Sequence, residues 1–555
     1  MHLPSAKRQI ERLEPRFHIL KEALEKRRIT LQTDITGIIP EEVLVFEIAG
    51  SLSEFVNAVQ KIEGMEWLTE IEEEDVPPDE DFYFEKKKEK PLITRLFLVF
   101  SNQKALNEML SLWEKWKKGE ELPYSFKSWK EIFKHLKDIR IWGVKDRLIE
   151  TGILQYWEEE IKIGSETVTC EINLWFRKNS EIREKSSKRV EQLVKNFGGE
   201  IIHISLIPEI HYHAMLVKFP REQVVELIKE KAMLEESEKF ALFQCEQIQF
   251  FLPTGQMAVT VESGDVCEDE KDVEPVKELG EPIAALLDGL PLQNHKRLAG
   301  RLIIDDPDNF EEGYIARARK HGTAMASLII HGDLNSNEPP IQRKLYVRPI
   351  LKPDPNSVEI GSTHIQELIP KEILPVDLIY RAVRRMFEGE GKTPAVAPKV
   401  CIINFSVGFK DQLFINTLSP LARLIDWLSW KYRVLFIISA GNNTEDLTLE
   451  VDWDTFKTLS KTDQQKYVLH ALIQDARNRK ILQPAESINA ITVGAAHDDA
   501  STQLPPRSID PYASNTLPNV VSRIGLGFRR SIKPDILAPG GEGNITRRVW
   551  KQKSF

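Results

Sequence analysis

The spacing of apolar residues changes character near residue 280 of this 555-residue chain. Before that point, short apolar runs alternate with stretches of helical spacing. Val43 to Ala49 (VLVFEIA) predicts a strand, and Phe55, Val59 and Ile62 recur at helical spacing within Leu52 to Ile62. A second strand is predicted at Trp67 to Ile71, and the acidic, proline-containing stretch Glu72 to Glu80 predicts a loop. Leu92 to Phe100 and Lys104 to Trp116 read as another strand and helix. The pattern returns with strands at Thr167 to Phe176, Glu200 to Leu206 and His213 to Phe219. Helices are predicted at Ile182 to Phe197, closed by Gly198 and Gly199, and at Arg221 to Lys231. The resulting β-α-β-β-α order predicts a split βαβ, ferredoxin-like module, of which the earlier segment reads as a diverged copy.

Ser263 to Glu281 is acidic and poor in large apolar residues, which predicts a linker. Beyond it, wholly apolar runs at Ile283 to Leu287, Val400 to Phe405, Val434 to Ile438 and Ala490 to Val493 alternate with amphipathic stretches, including a predicted helix at Val376 to Phe387. Runs of that kind are expected of parallel strands covered by helices on both faces. The predicted plan is an α+β domain at 1–160, a ferredoxin-like domain at 161–262, an acidic linker at 263–280 and a three-layer α/β domain with a mostly parallel sheet at 281–555.

Charge and composition narrow the function classes. A formal net charge of −10 gives no overall positive field to attract phosphates, which argues against a nucleic-acid partner. The four cysteines, Cys170, Cys245, Cys267 and Cys401, form no CxxC pair, so neither a zinc site nor a disulfide framework is expected. Cys170 and Cys401 lie in apolar runs and are expected to be buried, inert thiols. Met1 to Phe17 lacks the apolar stretch of a secretory leader, and no apolar run approaches the ~20 residues that span a bilayer. A soluble, cytoplasmic protein with no membrane partner is expected.

Three polar motifs lie at the ends of apolar runs, where open α/β sheets place their sites. They are Ala284 to Pro291 (AALLDGLP), His321 to Ser327 (HGTAMAS) and Phe436 to Asn443 (FIISAGNN). Taken singly, an aspartate after a strand is more often a turn cap than an acid, and a lone histidine is more often structural. Three further segments appear in order: Cys401 to Gly408 (CIINFSVG), Pro484 to Ala495 (PAESINAITVGA) and Lys533 to Gly540 (KPDILAPG). With these six segments the second half resembles the subtilase family of serine endopeptidases, in which aspartate, histidine and serine occur in that order.

The resemblance implies roles. Asp288 would orient His321, which would act as general base and then general acid. Asn442 would donate its amide to the tetrahedral oxyanion. Ser406, Val407 and Gly408 would form the edge that pairs with an extended peptide or protein substrate. The expected activity is hydrolysis of peptide bonds without a cofactor. Residues 161–262 would serve as a propeptide-like chaperone or inhibitor, or alternatively as a recognition domain.

Departures from the family pattern are as informative. Ala324 stands where the family's HGTH motif has its second histidine, which is not the base. The interval from Ser327 to Cys401 is long. After KPDILAPG the family's GTS nucleophile motif is expected, but the chain runs Gly541 to Phe555 (GEGNITRRVWKQKSF). Ser554 has no GT before it and no helix after it to position its hydroxyl. The expectation is a chain truncated before its nucleophile and inactive alone, with a non-catalytic peptide-binding or interaction protein on the same fold as the alternative. Gly540, Gly541 and Gly543 make only an incomplete phosphate-loop pattern. Asp305, Asp306, Asp308 and Asn309 fit no compact calcium loop and predict a solvated turn. His211 and His213 alternate on a strand and need no metal.

Overall fold

Val43, Leu44, Val45, Phe46 and Ile48 are all buried along one strand, Glu41–Ala49 (β1). Both of its faces are covered. Leu44, Phe46 and Ile48 enter one apolar cluster, while Val43 and Val45 enter another with Leu98, Phe100, Trp142 and Trp175. The computed structural model describes residues 1–31, 41–50, 52–149, 151–255, 257–260, 278–334, 339–355, 365–409, 412–414, 417–443, 445–498, 508–512, 517–541 and 545–546. The chain divides into two units, Met1–Pro253 and Thr254–Phe555.

In the first unit a helix, Ala6–Leu31 (α1), precedes β1; Leu13, Phe17 and Leu20 are its buried stripe. Then follow Phe55–Gln60 (α2), Met65–Val76 (β2), Leu92–Asn102 (β3), Gln103–Lys117 (α3), Trp129–His135 (α4) and Leu136–Ile141 (β4). The sheet order is β2-β3-β1-β4, antiparallel throughout. The acidic stretch expected to be a loop instead continues β2 as far as Val76. Glu72 and Glu73 pair with Arg95 and Thr94 of β3, and Arg95 binds Glu72 at 3.1 Å, so cross-strand charge pairing holds an acidic sequence in a strand.

After Ile153–Ile163 (α5), the pattern repeats with Thr167–Leu174 (β5), Ser180–Asn196 (α6), Glu200–Ile207 (β6), Tyr212–Pro220 (β7), Arg221–Lys229 (α7) and Ile248–Leu252 (β8). Its order, β6-β7-β5-β8, is the same permutation, again antiparallel. Both sheets therefore have the βαββαβ arrangement expected of ferredoxin-like modules. Trp142 meets Trp175 and Phe250 edge-on where the two sheets join.

His213 is buried in β7 with no partner for Nδ1. Burial, reinforced by Arg183, pushes its pKa down to about 4. The native state thus holds this ring neutral where an unfolded chain would protonate it. Its contribution is present above pH ~6.5 and is lost as the pH falls toward 4. Urea titrations from pH 7 to 4 are expected to show a loss of order 3 kcal/mol that His213→Leu abolishes.

Among the described residues of the second unit, seven strands form one parallel sheet. They are Ala284–Asp288 (β10), Leu302–Ile304 (β11), Leu345–Pro349 (β12), Ile402–Phe405 (β15), Leu435–Ser439 (β17), Ile491–Ala496 (β18) and Ile536–Pro539 (β19). The order is β11-β12-β10-β15-β17-β18-β19. Helices Lys320–His331 (α8), Pro375–Glu388 (α9), Pro420–Tyr432 (α10) and Lys461–Gln474 (α11) lie between the strands in sequence, giving the expected α/β architecture. A second sheet is antiparallel, with Met257–Thr260 (β9), Lys352–Pro353 (β13), Gln366–Leu368 (β14) and Gly408–Phe409 (β16) in the order β13-β14-β9-β16.

Cys170 is buried as expected, but Cys401 is exposed. It precedes β15, outside the covered part of the strand. Cys267 lies outside the described residues. No helix among the described residues is long and apolar enough to cross a membrane.

Candidate active site

Strand order reverses at β10. The chain builds β11 and β12 on one side of it and β15, β17 and β18 on the other. A crevice opens at the carboxyl ends of the strands flanking such a reversal. Asp288 is the last residue of β10 and is fully buried. His321 stands in the first turn of α8, its side chain 17% exposed. Two glycines let these elements meet. A Cβ on Gly322 would collide with the carbonyl of Gly289, and one on Gly289 would collide with Glu367 and Tyr314. Gly322→Ala is expected to push α8 away from β10 and cost about 1–3 kcal/mol in denaturant unfolding.

The imidazole Nδ1 of His321 lies 2.6 Å from Asp288 Oδ1, which also accepts the Gly289 amide at 2.6 Å. A carboxylate can only accept, so Nδ1 carries the proton and Nε2 keeps its lone pair. Burial by itself pushes the His321 pKa down, but the charge of Asp288 and their hydrogen bond outweigh it, and the net shift is upward. The pair has the geometry of an oriented general base.

Asn442 follows β17, and β10, β15 and β17 are successive neighbours in the sheet. Two strand spacings put the two strand ends ~10 Å apart on the same edge. Arg523 Nε donates to the Asn442 carbonyl at 2.9 Å, and Asn443 N donates to the Val521 carbonyl at 2.8 Å, so the backbone of the turn is held. The Asn442 residue itself is exposed.

Ser406 donates to Asn404 Oδ1 at 2.9 Å and Val407 is buried. Gly408 leaves the parallel sheet and pairs, through β16, with β9. Ala258 stands opposite Gly408 on one side and Leu368 on the other, while Val259 stands opposite Glu367. The edge assigned from sequence to a substrate is therefore occupied by the chain's own Met257–Thr260, with Met257 fully buried.

The acidic turn has another role than the solvated one expected. Asp305 is bound by Arg385 at 2.9 Å, and Asp308 by Arg348 and by Arg381, the latter at 3.0 Å. Asp306 accepts the amides of Phe310 and Glu311. Arginines, brought in from β12 and α9, neutralise carboxylates that look free in the sequence. Among the described residues no group of three or more metal-ligating side chains is gathered. Ser554 lies outside the described residues.

Sequence reasoning missed Glu367. Only 1% exposed, it contacts Tyr314 Oη and lies against the Asp288–His321 pair. Its segment falls in the long interval after Ser327 and carries no motif.

Residues 287–554 match the model of the subtilase family. Among solved structures, the prenylagaramide maturation protease PagA is similar at 19% identity, over 46% of this chain and 62% of that one, with a TM-score of 0.26. MycP1 with its N-terminal propeptide removed is similar at 15% identity, over 47% and 64%, with a TM-score of 0.23. The chain thus spans less than two thirds of either protein. No curated protein matches it.

Proposed function

We propose that this chain, whose residues 287–554 match the subtilase family model, carries the acid–base and oxyanion-binding parts of a serine endopeptidase acting on peptide or protein substrates in the cytoplasm. The observation that carries this reading is the 2.6 Å contact between His321 Nδ1 and a fully buried Asp288 at the sheet's switch point. In the cycle, His321 Nε2 takes the proton of a serine hydroxyl as that oxygen attacks the scissile carbonyl. It then returns the proton to the departing amine. Asp288 keeps the ring in one tautomer and stabilises it while charged. The Asn442 amide meets the oxyanion.

The nucleophile is not Ser554 in this reading. A fluorophosphonate probe is expected to leave the chain unlabelled, while a chimera continued past Gly540 with a GTS segment and its helix is expected to react. Labelling at Ser554 would overturn this assignment.

A second reading, a non-catalytic peptide-binding protein, is favoured by one observation, the seating of an extended segment between β14 and β16. The two readings share that groove. We take residues 161–262 as propeptide-like, with β9 as the part that blocks the substrate edge, because β9 follows the ferredoxin-like module directly in sequence.

A further inference from the structure

We propose that Glu367 is a positioning residue, tying the loop after β10 to the first turn of α8 and so fixing the Asp288–His321 geometry. The inference rests on the reading of that pair as an acid–base unit. Three contacts carry it. Tyr314 Oη donates to Glu367 Oε1 and itself accepts the amide of Leu290 at 3.2 Å, so the carboxyl reaches the loop that begins at Asp288. The backbone N–H of His321 donates to Glu367, so the same carboxyl holds the start of α8. Gly289 leaves the space that both Glu367 Oε1 and Tyr314 Oη fill. One side chain therefore contacts both elements whose separation sets the histidine–aspartate hydrogen bond.

Charge accounts for how a carboxyl can stand there. Burial and the neighbouring charge of Asp288 push the Glu367 pKa up to about 8, against the smaller effect of the His321 amide. Two adjacent buried carboxylates cannot both ionise cheaply, and Glu367 is neutral through most of the physiological range. Among the described residues the Tyr314 phenol contacts it, and the guanidinium of Arg319 lies over the ring of Tyr314. A neutral acid adds no second charge to compete for the His321 proton, yet keeps its acceptor oxygens for Tyr314 and the His321 amide.

The test uses the full chain, labelled with 15N-histidine, and follows the His321 ring by NMR through a pH titration, with His321→Gln providing the assignment. Glu367→Gln, which keeps an acceptor and no charge, is expected to leave the His321 midpoint and its downfield Nδ1 proton signal in place. Glu367→Leu is expected to lose that signal and lower the midpoint by about one pH unit. The proposal is overturned if Glu367→Leu titrates like the parent, or if Glu367→Gln fails as the leucine variant does. Should Glu367→Leu not fold, Tyr314→Phe decides. A lowered midpoint supports the tie through Leu290, and an unchanged one overturns it. Because no readout is catalytic, failure here is distinct from failure of the endopeptidase reading.

Discussion

In a chimera continued past Gly540 with a nucleophile segment, replacing His321 by alanine is expected to lower kcat for a peptide substrate by about 10⁴-fold or more. The expectation follows from the arrangement of one proton. Asp288 Oδ1 takes the Nδ1 hydrogen at 2.6 Å, which leaves Nε2 as the basic position of the ring. Without the ring, the oriented base that takes the serine proton is gone. Asp288→Asn should cost roughly 10⁴-fold, because an amide can donate to Nδ1 and so favour the wrong tautomer. The double variant should be little worse than either single, since both act on the same proton. Asn442→Ala should cost roughly 10²–10³-fold and add to these losses, because it acts on the oxyanion.

The pH profile supplies an independent check. The base must be neutral to act, and its pKa is raised above 6.5 by the Asp288 charge and hydrogen bond against the opposing effect of burial. Activity should therefore rise with pH through a midpoint above 6.5, and Asp288→Asn should move that limb downward. The same shift has a consequence for folding. A histidine whose native pKa is raised stabilises the fold fully below pH 6.5, and that contribution fades as the pH rises through the native value. Stability and activity would thus change in opposite directions across one pH interval. A limb unaffected by Asp288→Asn would detach His321 from the chemistry.

The contact of Asp288 with His321, and the place of Asn442 after a neighbouring strand, were legible because each residue sits in a local motif at the end of an apolar run. A parallel sheet with helices on both faces announces itself through such runs, and its switch point follows from topology. The fourth strand of each ferredoxin-like module, β4 and β8, escaped notice because it is short and only partly apolar. The α1 stripe was masked by a strongly charged sequence interrupted by Pro15. Glu367, Tyr314 and β9 share a different difficulty. Their roles come from pairing between segments far apart in the chain, which periodicity cannot report. The arginines that neutralise Asp305 and Asp308 arrive in the same way, from Arg348, Arg381 and Arg385. Glu47, Glu72 and Glu73 show the converse case, in which unfavourable composition is overridden by cross-strand partners at Lys137, Arg95 and Thr94.

Ala258→Pro is expected to raise the affinity of the chain for an added extended peptide by about tenfold or more, measured by fluorescence anisotropy with a labelled Met-Ala-Val-Thr peptide, the sequence of β9 itself. Ala258 is the position paired on both sides, with Gly408 and with Leu368. Proline there removes a donor from a strand flanked on both edges, a place where it is poorly tolerated. The tethered strand should leave the groove, and a peptide in solution would no longer compete with a segment held at high effective concentration. Met257→Asp should act the same way by a different route, since it would bury a carboxylate where the parent buries an apolar side chain. Agreement between a backbone variant and a side-chain variant would assign the effect to strand release. Unchanged affinity in both, with circular dichroism showing the fold intact, would mean that β9 is a permanent strand of the domain and that no substrate edge lies beneath it.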